Sequence, residues 1–379
     1  MVRFVIRVTI NAKTYHVVIQ ISDDLKITSA RLDKILSDPQ ATAKAVKLVY
    51  VNDSMEGYTR IKSQNGFRYL YKNKALKDKT ELQRIRSLVL PPAWEKVWIC
   101  AKENGHLQAT GSDTRNRKQY RYHPLWNQLR NQTKFYRMLQ FGKVLPSIRK
   151  QVQKDLASSH SPKEKILATV IALMERTCIR VGSESYEKMY GSFGLTTLKD
   201  KHVEIKGSNM NFSFKGKKGV EHDISIKSPR LAKIVKQCRD IPGKELFQYY
   251  DEQGNKQTID SGMVNEYLRS IVDGEFTSKD FRTWAGTVQA LIAFKEVGEF
   301  ENKTHAKKNI VEVLDKVSKH LGNTRTVCKK YYVHPSILDM YESASLATYF
   351  DKLKKQEDLD DKPCLTCEEK VLMEILEKL

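Results

Sequence analysis

Two adjacent tyrosines, Tyr331 and Tyr332, lie near the end of the segment LGNTRTVCKKYYVHP. Tyrosine is a poor nucleophile, because a free pKa of about 10 keeps the phenol protonated near neutral pH. A catalytic tyrosine therefore needs cations beside it, to stabilise the phenolate and the phosphorane-like transition state of attack on a phosphate ester. Two arginines and a lysine are candidates. Arg180 follows a capped helical run in CIRVGSESY, where Gly182 is expected to end that helix and Ser183 to begin the next. Such a junction aims a guanidinium at a fixed point. Arg282 falls in the first turn of an expected helix in TSKDFRTWAG. The free N–H groups and the dipole of a helix start favour anions, with phosphate the natural ligand. Lys217 is held at the tip of the turn Gly216-Lys217-Lys218-Gly219, from which a flexible amine can reach into a groove or toward a leaving oxygen. Taken singly, each of these has a surface role as its default in a chain with 66 basic residues, and on pattern alone one of the two tyrosines belongs to the core.

A further basic segment has a different character. Thr110 to Tyr122, TGSDTRNRKQYRY, sets Arg115, Arg117, Lys118 and Arg121 among Gln119, Tyr120 and Tyr122. Cations that neutralise phosphates thus alternate with groups able to reach bases or sugars. Composition alone leaves two readings, a DNA-contacting strand or loop and a solvated charged loop. The whole chain has the same bias. Its 379 residues carry 66 Lys+Arg against 45 Asp+Glu, a formal net charge of +21. A field of that sign draws in polyanions, nucleic acid before anionic membrane. A hydrophobic content of 40% supplies a core and excludes general disorder.

The elements that must position these residues can be read in outline. The N-terminus, MVRFVIRVTINAKTYHVVIQI, alternates as a β-hairpin does, and a short helix over TSARLDKILSD follows. Residues 1–45 carry no chemical motif and are read as an extension. From Leu48 to Tyr122 the runs KLVYV, FRYLYK, KVWICA and HLQATG, with Pro91-Pro92 before Trp94 and Trp98, predict a mainly β lobe over 46–125. Beyond His123-Pro124 the period becomes helical, and 126–350 read as a mainly α catalytic domain. Its first clear helix opens at Ser161-Pro162-Lys163-Glu164, a capping box, and runs to about Cys178. Val203 and Ile205, then Met210, Phe212 and Phe214, then Val220, Ile224 and Ile226 predict a small antiparallel sheet inserted among the helices. A helix from Thr277-Ser278 is expected to bury Phe281, Ala285, Val288, Leu291 and Ile292. Another carries Ile310, Val313, Leu314, Val317 and Leu321 before Gly322. KKQEDLDDKP, from Lys354, reads as a linker to a last helix, so that 351–379 form a charged tail.

The longest apolar stretch, Ile166 to Met174, is about half a bilayer span, so no transmembrane helix and a soluble protein are expected. A secretory signal is not legible at the N-terminus. The six cysteines are too sparse for a disulfide framework and fit a reducing cytoplasm. Cys364 and Cys367 are the close pair, but Thr366 and Glu369 form a capping box there, so a helix start is preferred over zinc and no metal is assigned.

Taken together, GSDTRNRKQYRYHP, the Arg of CIRVGSESY, the Lys of FKGKKG, the Arg of KDFRTWAG and the Tyr of GNTRTVCKKYYVHP resemble, in order and spacing, the type IB DNA topoisomerases of the poxvirus-like and bacterial branch, with their eukaryotic-like catalytic core. The resemblance covers roughly residues 48 to 350 and includes LVLPPAWEKVWIC and GLTTLKDKHVEI. It implies an α+β fold of the tyrosine recombinase/topoisomerase IB kind, whose two lobes form a C-shaped clamp around double-stranded DNA. By the same resemblance Tyr332 is the nucleophile that forms a 3′-phosphotyrosyl link and expels a 5′-hydroxyl. Tyr331 aligns with a position usually held by a small residue and is assigned to packing. Arg180 and Arg282 match the two arginines that bind the non-bridging oxygens. Lys217 matches the general acid, with Lys218 its close competitor. Asn323 stands where poxvirus relatives have His and bacterial ones Asn. An amide donates a hydrogen bond but exchanges no proton, which makes the position an oxyanion donor. Gln119, Tyr120 and Tyr122 align with groove and phosphate contacts, although Asn116 replaces the Gly often found in that turn.

Exchange of one phosphodiester for another conserves bond energy, so neither ATP nor a divalent metal is implied, and no P-loop GxxxxGK[ST] is present. Swivelling about the intact strand would relax supercoils of either sign. One clamp suffices, so a monomer is expected, cytoplasmic and nucleoid-associated if the host is bacterial. A tyrosine recombinase is the nearest rival, but such enzymes usually carry His three residues before the second arginine, where this chain has Lys279. A basic DNA-binding protein that has lost turnover is the rival from another class.

Overall fold

The computed structural model describes residues 7–11, 14–22, 25–28, 38–64, 66–114, 116, 118–158, 162–274, 276–353 and 363–379. They fall into two compact units, Met1–Tyr136 and Arg137–Lys378. Among the described residues no helix is long and apolar enough to cross a membrane.

The first unit opens with β1 (Arg7–Asn11), β2 (Thr14–Ser22) and β3 (Leu25–Thr28), an antiparallel sheet in that order. The alternating N-terminus therefore forms a hairpin with a third strand added. The helix expected over TSARLDKILSD lies almost wholly outside the described residues. The helix that is described, α1 (Pro39–Ala45), starts just after it. Asp38 is its N-cap, accepting from the Gln40 N–H at 2.8 Å, and Pro39 occupies the first turn.

Next come β4 (Gly57–Ser63), β5 (Gly66–Tyr71), β6 (Lys74–Ala75), α2 (Lys79–Ser87), β7 (Glu95–Cys100), β8 (Leu107–Ser112) and β9 (Lys118–Tyr122). The strands form one six-stranded antiparallel sheet, order β6-β5-β4-β7-β8-β9. Tyr58, Ile85, Val97, Ile99 and Ala109 make its core. The runs FRYLYK, KVWICA and HLQATG lie in β5, β7 and β8, but KLVYV forms only a bridge from Val49 to Gly105. Apolar alternation does not reveal β4, because its inward positions include Arg60. That guanidinium is buried by donating to the carbonyls of Leu90, Pro91 and Trp94 at 3.3, 2.9 and 2.7 Å, which pins the Pro-Pro segment to the sheet. The change to helix after His123 occurs as read: α3 (Pro124–Ala157) runs from the first unit into the second and continues through Pro146.

The second unit is mainly helical. α4 (Pro162–Thr177) is its centre, with Ile166 to Met174 buried throughout. Ser161 of the expected capping box lies outside the described residues. After α5 (Glu184–Tyr190) come β10 (Val203–Lys206), β11 (Asn209–Lys215) and β12 (Glu221–Lys227), the inserted antiparallel sheet read from the sequence. Val220 alone of its predicted strand residues lies outside the strands and exposed. α6 (Pro229–Arg239), the ribbon β13 (Gln248–Tyr250) with β14 (Lys256–Thr258), and α7 (Ser261–Ile271) follow.

α8 (Ser278–Val297) is capped by Thr277 and Asp280. It buries Phe281 and Leu291 as predicted, but Ala285, Val288 and Ile292 are only half-buried, while Trp284, Thr287, Ala290 and Phe294 are fully packed. A helix covered on several sides has no single apolar stripe for a periodicity to find. α9 (Lys303–Leu321) buries the predicted five and ends at Gly322, which is left-handed at φ 57°. α10 (Arg325–Tyr331), α11 (Pro335–Glu342) and a 3₁₀ segment (Ser345–Lys352) complete this part.

The last helix, α12 (Cys367–Lys378), starts at the predicted capping box, with the Thr366 N–H donating to Glu369 at 2.9 Å and the Glu369 N–H to the Thr366 hydroxyl at 3.3 Å. The flexible-linker reading of its approach falls on residues 354–362, outside the described residues. Glu369 is buried against Arg149, accepting two hydrogen bonds at 2.8 Å, and accepts a third from the Trp284 indole at 2.8 Å. Arg149 also donates to Glu175 at 2.8 Å. Burial works against the Arg149 charge, yet these two carboxylates hold its pKa above the ordinary value.

Candidate active site

Helix α4 ends at Thr177, and residues 178–182 run on without helical structure until Ser183 caps α5. Gly182 therefore does not end the helix; it lies in this run, at φ 101°, because the backbone of Gly194 packs directly on it. The N–H groups of Leu195 and Thr196 donate to the carbonyls of Arg180 and Val181 at 2.9 and 2.7 Å. The GLTT segment thus fastens the backbone that presents Arg180. The Arg180 guanidinium donates to the side-chain oxygen of Asn323, at 2.5 Å, and to the Gly322 carbonyl, at 3.4 Å.

Arg282 is the fifth residue of α8, one position beyond the reach of the first turn. The helix start is occupied by its own cap, the Asp280 carboxylate taking the Thr277 N–H at 2.8 Å. An anion seat at this helix start, the expectation from sequence, is not how Arg282 is used. Its buried guanidinium instead donates to the main-chain carbonyls of Cys178 and of Leu321, the latter at 2.7 Å. Its Nε is buried with no hydrogen-bond partner among the described residues.

The Arg282 guanidinium lies 5.3 Å from the centroid of the Tyr332 ring. Neither Arg180 nor Arg282 is in an ion pair with a carboxylate among the described residues. Burial, reinforced by the charge of Arg282, lowers the Arg180 pKa to about 10, and a hydrogen bond with Tyr332 opposes the fall. Two largely desolvated cations beside a phenol, with no carboxylate paired to either among the described residues, are an electrostatic arrangement that an anion completes.

Tyr332 sits at the C-terminal cap of α10, its N–H donating to the Cys328 carbonyl at 2.9 Å. Its carbonyl lies 3.1 Å from the Thr287 hydroxyl, whose single proton is shared between that oxygen and the Thr283 carbonyl at 3.0 Å, and the same hydroxyl accepts from the His334 N–H at 3.1 Å. Gly286 makes this approach possible, since a Cβ there would stand 2.8 Å from the Tyr332 oxygen and 3.0 Å from its Cβ. Tyr331 is 38% exposed with Lys330 over its ring, so its assignment to packing is corrected. The turn that buries part of Tyr332 directs its neighbour outward.

Lys217 and Lys218 are both exposed on the single 3₁₀ turn between β11 and β12, with Lys218 left-handed at φ 63°. The Lys217 ammonium is 5.5 Å from the centroid of the Tyr186 ring on α5. The sequence reading overlooked His222 on β12. It stacks on Phe214 at 4.9 Å, and its ring lies against both Gly216 of the lysine turn and Gly322, the residue before Asn323. Alternation marks His222 as a strand residue and nothing more. Gly286 and Thr287 were equally silent, being ordinary helix residues until the tertiary fold brings Tyr332 against them.

In the first unit, Lys118, Gln119, Tyr120, Arg121 and Tyr122 form β9, the edge strand of the large sheet. Arg115 and Arg117 lie outside the described residues. Tyr120 and Tyr122 stack at 5.9 Å, and Tyr120 is 48% exposed. Lys118 reaches Asp53 at 2.6 Å and, by that hydrogen bond, holds the Asp53 carboxyl below its ordinary range. Gln119 donates to Asp113 at 3.0 Å.

Comparison with known proteins bears on both units. Residues 123–358, which contain Arg180, Lys217, Arg282, Asn323 and Tyr332, match the family described as eukaryotic DNA topoisomerase I, catalytic core. Residues 66–113 match the bacterial DNA topoisomerase IB N-terminal domain. The chain is 32% identical over 298 residues to DNA topoisomerase 1B of Acanthamoeba polyphaga mimivirus, covering 76% of this chain and 88% of the relative. It is 27% identical over 261 residues to DNA topoisomerase 1B of vaccinia virus, covering 68% and 79%. A stretch of 137 residues is 30% identical to DNA topoisomerase 1 of Daucus carota, 36% of this chain and 16% of that one. With the catalytic-core match spanning more than half of the chain, and a viral relative aligned over most of both sequences, the chain belongs to the type IB DNA topoisomerase family.

Proposed function

We propose that this topoisomerase closes its two units as a C-shaped clamp on double-stranded DNA, as a monomer, and relaxes supercoils of both signs through a 3′-phosphotyrosyl intermediate formed by Tyr332. The observation that carries this reading is the convergence of Arg180, Arg282 and Asn323 on the Leu321–Asn323 segment beside Tyr332.

The Tyr332 oxygen attacks the backbone phosphorus, and the P–O5′ bond breaks. Arg180 and Arg282 neutralise the non-bridging oxygens as charge accumulates there, and the buried Arg282 Nε is a donor with no partner among the described residues. Asn323 accepts from Arg180 through its carbonyl oxygen, which orients its NH₂ as a donor and leaves it no acid or base role. Lys217 gives a proton to the departing 5′-oxygen. The phenol loses one proton and the 5′-oxygen gains one, so the exchange is balanced and reverses by the same steps. A free 5′ end between the two steps lets the helix swivel. The chemistry asks nothing of ATP, and the cations it needs are side chains. Edge strand β9, with Arg115 and Arg117 before it, is assigned to backbone and groove contacts, where Lys118 exchanges Asp53 for a phosphate.

The decisive experiment is relaxation of negatively and positively supercoiled plasmid in EDTA without ATP, comparing wild type with Tyr332→Phe, followed by denaturant trapping of covalent DNA. Wild type is expected to relax both signs and to trap a 3′-linked adduct, and the variant to do neither. Relaxation by the variant would transfer the nucleophile to another residue, Tyr331 first. Binding without relaxation by either protein would make the chain a DNA-binding protein that has lost turnover. Removal of the Lys217 amine in Lys217→Ala should slow cleavage by about 10²- to 10⁴-fold, the range for general acid catalysis.

A further inference from the structure

The Lys217 turn and the arginine cluster belong to different pieces of the second unit, and something must set the spacing between them. His222 is placed to do so. It is the register partner of Phe214 across β11 and β12 and stacks on that ring at 4.9 Å with 16° between the planes. One edge of the imidazole lies against Gly216, where a Cβ would come 2.6 Å from two ring atoms. The Cε1 side lies against Gly322, closer than any Cβ there could tolerate. Gly216 carries Lys217 as its next residue, and Gly322 carries Asn323, whose side chain holds Arg180. The turn itself is closed by main-chain bonds, Gly216 N–H to Val220 at 2.7 Å and Gly219 N–H to Gly216 at 3.1 Å. It therefore moves as one body on the end of the hairpin, and a flat ring between two glycines is a spacer that fixes where that body stops.

We propose that His222 is a positioning residue for the proton donor: wedged between Gly216 and Gly322, it holds the Lys217 turn at the distance from Arg180 and Asn323 at which the lysine reaches the 5′-oxygen. Burial, with the charges of Arg180 and Arg282, depresses the His222 pKa, so the wedge is a neutral ring and adds no third cation to the cluster. The inference rests on the reading of Lys217 as general acid.

The test uses a property of the leaving group. In cleavage of the ordinary duplex the P–O5′ electron pair leaves on oxygen and needs the lysine proton. With sulfur in the 5′-bridging position the pair leaves as a thiolate, which needs none because a thiol is far more acidic than an alcohol. Single-turnover cleavage by the full chain would be measured on both duplexes for wild type, Lys217→Ala, His222→Ala and Gly216→Ala, the last pushing the turn off the ring from the other side. Duplex affinity would be measured alongside and the enzyme held well above the dissociation constant, so that every variant is scored by its rates in the bound complex.

The expected result is a loss of about 10- to 100-fold on the oxygen duplex for His222→Ala and Gly216→Ala, a fraction of the general-acid range, with near wild-type rates on the sulfur duplex. Equal losses on both duplexes, or no loss, in either variant would overturn the proposal. Lys217→Ala separates the two readings. If it is rescued by sulfur and His222→Ala is not, the wedge fails while the general acid stands. If Lys217→Ala is itself not rescued, the general-acid assignment fails.

Discussion

A single methyl group is enough to test how Tyr332 is aimed. Its backbone rests on Gly286 and is held by the Thr287 hydroxyl, which also receives the His334 N–H. In Gly286→Ala the added Cβ must displace the main chain of Tyr332, the proposed nucleophile, and a misplacement of about 1 Å can cost roughly 10²-fold in rate. We expect cleavage to fall by about that factor, with duplex affinity nearly unchanged; unchanged cleavage would show that α8 yields instead. His334, two residues on, tests the same loop through pH. Complete burial lowers its pKa from 6.5 to about 4. Between those values the unfolded chain binds a proton that the folded chain refuses, so stability is full above pH 6.5 and declines as pH falls toward 4, by about 3 kcal/mol in total. A His334→Asn variant keeps an acceptor for the Ser336 N–H, a bond of 3.2 Å in the native loop, without the titration. Its Tm should fall less steeply than that of wild type over this range.

At the scale of elements, α12 is tied to α8 by one carboxylate. Glu369 serves Arg149, the Trp284 indole and its own helix start, and Trp284 is two residues from Arg282. Truncation to Ala leaves Arg149 buried with Glu175 as its one remaining carboxylate among the described residues and the Cys364 carbonyl at 2.8 Å, a class of change that costs about 3 to 5 kcal/mol. Glu369→Ala should therefore lower Tm by roughly 10 °C, on the scale of a unit this size, and a shift of a degree or two would mean that α12 is an ornament. The capping box at Thr366 and Glu369 was legible as a helix start. That the same Glu turns inward to a buried arginine was not, because a capping motif describes the backbone beside it and says nothing of what lies 220 residues away in sequence. Likewise the inserted sheet and α9 were readable from alternation and period, whereas β4, with an inward arginine, and α8, buried on several sides, defeat any rule that equates inside with an apolar stripe.

For the whole molecule the governing quantity is charge. A net +21 on 379 residues makes duplex binding a counterion-release reaction. Affinity for a labelled duplex should fall by about 10³-fold or more between 50 and 200 mM salt, the range for proteins that neutralise about six to ten phosphates. A single strand of the same sequence should bind more weakly and with a shallower slope. Anisotropy titrations at several salt concentrations check both, and a flat salt response would remove the backbone-contact reading of β9 and its neighbours.

What the amino-acid sequence determined by itself was the family, and with it the candidates for the reacting groups. Five ordered segments, each with a basic or phenolic residue at a fixed place, need no coordinates to be recognised, and helix caps and strand alternation are local signals that survive without tertiary context. Only the tertiary structure decided how those groups are held. Arg282 serves carbonyls of two distant segments instead of a helix start, Arg180 hangs from a non-helical run locked by Leu195 and Thr196, and His222, Gly286 and Thr287 matter because of what is packed on them. The physical reason is that contact between residues far apart in sequence leaves no periodicity behind. A glycine that makes room for a ring and a glycine that merely turns are the same letter until the ring arrives.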